Sequence, residues 1–101
     1  MSVVKLLTDS ITTDTGALIP ISTTQGRVFQ AVVVGTGAQT ATIVIEVSLD
    51  GTNVVTLGTI TLSGTTTATD GFATTAVWPF VRARVSAVSG TGATIQVYAG
   101  A

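Results

Sequence analysis

The chain has 101 residues, the size of one small domain, and contains neither cysteine nor histidine. Disulfide staples and thiol nucleophiles are thereby removed, and the usual zinc, copper and non-haem iron sites lose their ligands. Only 9% of residues are charged and the net charge is -1, against about 25% charged residues in an ordinary soluble domain. Threonine hydroxyls are therefore expected to do much of the solvating, with part of the surface lying against other protein.

Valine, isoleucine and above all threonine dominate, and their branched side chains pack well on a pleated surface. Glycines recur at the spacing of a β-meander or sandwich. The patterning predicts strands near 3-8, 17-22, 28-35, 40-49, 53-62, 71-77, 79-88 and 93-99. The first 25 residues carry Lys5, Asp9, Asp14 and Pro20 with weak alternation, and read as an edge hairpin or an N-terminal arm. Lys5 with the short Leu6-Leu7 step does not read as a signal peptide. No apolar run reaches the 18 or more residues of a membrane-spanning helix.

The segment Val28-Phe29-Gln30-Ala31-Val32-Val33-Val34 is apolar on both faces, as for a central strand or one covered by a partner. In the next strand Ile43, Ile45, Val47 and Leu49 fall on one face, expected inward, and Thr42, Glu46 and Ser48 on the other, expected in water. Asp50-Gly51 marks a hairpin turn. Ser63 to Thr69 reads as a polar loop. Val81, Ala83 and Val85 form an inner row opposite Phe80, Arg82 and Arg84. Gly35-Thr36-Gly37-Ala38 and Gly90-Thr91-Gly92-Ala93 look like one hairpin idiom used twice. The fold expected from this pattern is an all-β antiparallel sandwich, jelly-roll-like, in a single domain.

Candidate chemistry is sparse. The acids Asp9, Asp14, Glu46, Asp50 and Asp70 are scattered over turns and one strand face, without the convergence that acid-base catalysis needs. Serine and threonine have no histidine to activate them. The two Gly-Thr-Gly stretches precede no helix and so lack the helix N-terminus of a phosphate loop. Asp50 with Asn53 offers too few oxygens for calcium. Arg82 and Arg84 share a row and are expected to pair with Glu46 or with another subunit. Trp78-Pro79-Phe80 is the densest aromatic spot, read as a core plug, an interface anchor or a sugar platform. No enzyme activity, cofactor or metal is expected. The candidate interface residues are Trp78, Phe80, Arg82, Arg84 and Phe29.

The order of these segments, from Val28-Phe29-Gln30-Ala31 through Val44 to Asn53, Leu57-Gly58-Thr59-Ile60, Asp70-Gly71-Phe72-Ala73 and Trp78 to Ala83, resembles small β-sandwich structural proteins of tailed bacteriophage virions. The likeness spans about residues 28-100 and consists of strand and turn idioms. It implies a virion component, assembled in the host cytoplasm. A capsid decoration protein bound to the major capsid protein or other virion proteins is the leading expectation, with a neck or tail accessory as the alternative. A homo-oligomer is expected, a trimer foremost, with no nucleic acid or membrane partner. Ser48 to Asn53 and Phe80 to Arg84 are also similar to parts of discoidin-type and carbohydrate-binding sandwiches, which implies a glycan-binding adhesion module. Those usually carry tryptophan where this chain has Val54.

Overall fold

A computed structural model describes residues 3-10, 14-16, 18-20, 27-74 and 78-100. The strands are β1 (Val3–Ser10), β2 (Asp14–Thr15), β3 (Ile19–Pro20), β4 (Arg27–Ser48), β5 (Val55–Gly64), β6 (Thr67–Thr74) and β7 (Phe80–Gly100). All seven join one antiparallel hydrogen-bonded sheet. The expected all-β antiparallel character is present, carried by a single continuous sheet.

Two strands are far longer than the rest, with 22 residues in β4 and 21 in β7. Straight, β4 would run about 70 Å at roughly 3.3 Å per residue. The molecule's longest dimension is 40 Å, so the long strands bend. In one half, β6, residues 27-34 of β4, residues 94-100 of β7 and β1 lie side by side. In the other, β5 pairs with residues 39-47 of β4, which pair in turn with β7, and β2 and β3 flank β7. The sheet doubles over, and its inner rows meet in one core.

That core follows strict alternation. Phe29, Ala31, Val33, Ala41, Ile43, Ile45 and Val47 from β4 join Val81, Ala83, Val85, Ala93, Ile95, Val97 and Ala99 from β7, with Ile60 and Leu62 from β5. Each fully buried valine, leucine, isoleucine or phenylalanine is worth about 1.5–3 kcal/mol relative to exposure. The Phe72 ring of β6 lies so close over Gly58 of β5 that a Cβ there would fall 2.6 Å from the ring. Phe72 also tilts against Phe29, with centroids 5.2 Å apart. The contact with Gly58 joins the two halves across the interior, whereas Phe29 is the ladder partner of Phe72 within the first half.

The bend replaces the expected pair of hairpins. Gly35-Thr36-Gly37-Ala38 lies within β4 and Gly90-Thr91-Gly92-Ala93 within β7, and the two stretches pair with each other through Thr36 and Thr91. Register shifts flank Thr36, and Gly37, Gly90 and Gly92 have positive φ. Local glycine chemistry reads as a turn, but with a partner strand alongside it makes a bulged corner that keeps the ladder going. Three further expectations change. Leu49 lies beyond the end of β4 and is 72% exposed. Ser63 to Thr69 is a bend in one edge, where β5 ends at Gly64 and β6 resumes at Thr67 along the same side of β4, and the Thr67 and Thr69 hydroxyls donate to the Val33 and Ala31 carbonyls at 3.2 and 3.0 Å. The N-terminal segment forms no hairpin among the described residues, because β1, β2 and β3 each pair with β7. The expected strands at 17-22 and 71-77 fall partly outside the described residues.

Gly90 combines φ of 130° with a would-be Cβ only 2.7 Å from the Gln39 Cβ and 3.0 Å from the Ala38 carbonyl oxygen. Replacing it with alanine should destabilise the chain by about 1–3 kcal/mol through backbone strain and crowding. Urea denaturation is the measurement, with a lower midpoint at unchanged slope expected.

Candidate functional site

Phe80, Arg82 and Arg84 lie on one row of β7, against the outward row of the second half of β4. Glu46 faces Arg82 directly in the ladder, and Val44 faces Arg84. The Glu46 carboxylate accepts a hydrogen bond from Arg82 Nε at 2.7 Å, and Arg84 Nε stands 3.6 Å from its other oxygen. This is the pairing expected from the sequence, with both arginines converging on one acid. Glu46 is buried despite being on the outer face, with an arginine Nε against each of its carboxylate oxygens. Val44 and Ser48 on the same row are buried too, so the outward row is less wet than alternation alone predicts. Cluster charge is one positive unit beyond Glu46.

The β4–β5 turn closes one end of this surface. Asp50 Oδ1 accepts from the Thr52 and Asn53 backbone N–H groups, each at 2.8 Å, and from the Ser48 hydroxyl at 2.9 Å. Asn53 Nδ2 donates to Asp50 Oδ2 at 2.8 Å, and Gly51 N–H donates to the Ser48 hydroxyl. Both carboxylate oxygens are thus committed to the turn. The Asn53 and Thr52 N–H groups, then the Asn53 amide and Ser48 hydroxyl, hold the Asp50 carboxyl well below the usual carboxylate range. Gly51 has φ of 77°, and the Phe80 ring lies beside it.

The remaining candidates are placed differently. Trp78 is half-buried and packs against the core, as a plug does. Phe29 is 1% exposed and points inward. As a buried ring on the core row of β4 it is unavailable to a partner, which corrects its selection as an interface residue.

Two features escaped the sequence reading. The outer face of the first half carries Val28, 48% exposed, and Val34, 52% exposed, beside Gln30 and Thr69, whose side chains hydrogen-bond at 3.0 Å. A shallow groove runs there along Val28, Gln30, Thr69, Gly71 and Ala73. The apolar run 28-34 signalled it, without saying which valines stay exposed. Gln39 is the other. It lies on the inner row at the corner, 2% exposed, with no hydrogen-bond partner for its amide among the described residues. A polar residue inside a Gly-Ala-Gln-Thr stretch reads as a turn, so nothing in the sequence marked it as buried.

Among the described residues no three acids lie close enough to hold a metal ion, and no helix is long and apolar enough to cross a membrane. Compared with known protein families, curated proteins and solved structures, the chain finds no significant match in any of the three.

Two measurements check the site. A double-mutant cycle between Glu46 and Arg82 should give a coupling of roughly 0.5–1 kcal/mol, larger than that between Glu46 and Arg84. Equal couplings would show that the 2.7 Å contact has no special weight. For Asp50, the folded-state pKa is depressed, so its contribution is complete above the unfolded carboxyl value of about 4. It is lost as pH falls from there toward the depressed folded value. Asp50→Asn should therefore lower stability at neutral pH and flatten the decline below pH 4 in acid titrations of the melting temperature.

Proposed function

We propose that this chain is a non-enzymatic structural subunit that attaches to the surface of a tailed-phage particle, as a capsid decoration protein. The observation that carries this reading is the employment of the acids. Each of the three carboxylates whose side chains are described has a structural task. Glu46 is held by two arginines, Asp50 organises a turn, and Asp70 accepts the Gly71 N–H at 2.8 Å. What such a chain offers is surface, and its surface is threonine-rich and nearly uncharged, with exposed valines on the first half. Recognition by shape and backbone needs no reactive group.

The likeness of its strand and turn idioms to virion β-sandwich proteins supports the same reading. On it, the doubled sheet works as a sandwich of the jelly-roll kind, and the chain acts as a homo-oligomer bound to the major capsid protein or a neighbouring virion protein. Repeated contacts on a symmetric shell add avidity to individually modest interfaces. Candidate contact surfaces are the Val28–Val34 face and the Arg82–Arg84 row.

The test is cryo-electron microscopy of purified particles with quantitation of this chain. Stoichiometric density on the head supports decoration, density at the neck or tail moves the chain there, and absence from particles overturns the reading. Glycan binding lost on Trp78→Ala would instead establish an adhesion module.

A further inference from the structure

A sheet edge is a row of unpaired N–H and C=O groups, and proteins guard such rows with charges, proline or bulges. Among the described residues the edges of this sheet are β1, β2 and β3 on one side, and β5 and β6 on the other. Four of the five contain a charged residue or a proline in their sequence. β1 contains Lys5 and Asp9, β2 begins with Asp14, and β3 ends on Pro20. β6 contains Asp70, whose carboxylate already occupies the Gly71 N–H. The exception is β5, Val55 to Gly64, which has ten residues and neither a charge nor a proline, and whose one irregularity, the extra residue Leu57 near its start, leaves residues 58-64 as a regular edge. It is also the longest edge, since β1 and β6 have eight residues each.

We infer that the open edge of β5 pairs with β5 of a second copy of this chain, antiparallel about a two-fold axis normal to the sheet. The strand is self-complementary for this pairing. Thr59, Thr61 and Ser63 are exposed on one face, while Ile60 and Leu62 are buried on the other. The two-fold axis keeps outward residues opposite outward residues. One register sets Thr59 opposite Thr61 and Ile60 opposite Ile60, and the next sets Thr61 opposite Thr61 and Ile60 opposite Leu62. Either way threonine meets threonine and aliphatic meets aliphatic, the cross-strand pairs that stabilise sheets, and no like charges are opposed.

The exposed apolar residues agree with this occupant. Leu49, 72% exposed, lies in the turn that leads into β5, and Val55, 51% exposed, is the first residue of β5. Val34, 52% exposed, lies by the corner at its far end, where Gly35 N–H donates to the Thr66 carbonyl. Antiparallel pairing brings the first end of one copy toward the far end of the other and shelters both. The resulting oligomer is two-fold, where the sequence suggested a trimer. This pairing does not depend on the virion reading, since it concerns the purified chain alone.

Sedimentation velocity on the full chain over a wide concentration range tests it. A monomer–dimer equilibrium is expected. Thr61→Lys, which sets ammonium groups opposite one another in one register and diagonally across the axis in the other, should weaken it about tenfold. Ala73→Lys, which adds the same charge to the guarded β6 edge, should leave it unchanged. A monomer at every concentration overturns the proposal, as does an oligomer indifferent to Thr61→Lys or one dissociated equally by Ala73→Lys. If the lysine variant does not fold, hydrogen exchange on the unsubstituted chain decides. β5 amides that become protected on concentration support the pairing, and exchange independent of concentration overturns it.

Discussion

The ladder between β4 and β7 is the interaction on which everything else hangs. Among the described residues β1, β2 and β3 form their ladders with β7, and β5 and β6 form theirs with β4. Between them the two long strands supply most of the core residues, because both keep their alternation through the bend. A strand that turned out of register at the corner would send its next row to the wrong face. The bulges around Thr36 and Thr91 absorb the change of direction instead, so Val33 and Ala41 remain on the same side of the sheet.

The low charge is made workable by where the charged and polar groups sit. Glu46 neutralises part of an arginine pair at the centre of a face that would otherwise repel itself. Threonine has two roles in this setting. Several threonines face solvent, whereas Thr67 and Thr69 also tie the edge strand β6 to the carbonyls of β4. A hydroxyl bound to a backbone carbonyl in this way stiffens an edge without adding charge. The cost falls at Gln39, whose buried amide lacks a partner among the described residues, a loss of about 1–3 kcal/mol for such a group.

Much of this was legible in the residues. The rows Ile43-Ile45-Val47 and Val81-Ala83-Val85 show their burial through simple alternation, and Glu46 with Arg82 follows from opposite charges on adjacent outward rows. What could not be read depended on partners distant in sequence. Gly35 to Ala38 has the local chemistry of a turn, and only the matching stretch at 90-93 turns it into a paired corner. Ser63 to Thr69 looks like a loop until its hydroxyls find carbonyls on β4. Leu49 continues the apolar row in sequence, but the Asp50-centred turn begins there and takes it out of the core. Phe29 looked like a surface aromatic because both faces of its strand are apolar, and only the packing of Phe72 beside it shows which face is inside.

The order in which the strands occur along the chain bears on how the molecule assembles. β7 comes after every other strand, yet both halves of the sheet need it. Its contacts run from Phe80 with Ser48 at one end to Gly100 with Val28 at the other. A growing chain that has not yet made residue 80 holds β4 with only β5 and β6 beside it, and the rows of Val33, Ile43 and Ile45 lack their central neighbours. Closing such distant contacts is entropically slow, and folding dominated by them takes about milliseconds to seconds. The β4–β5 hairpin is the local contact available to form early. The core cannot be complete until β7 lies between β4 and the N-terminal strands.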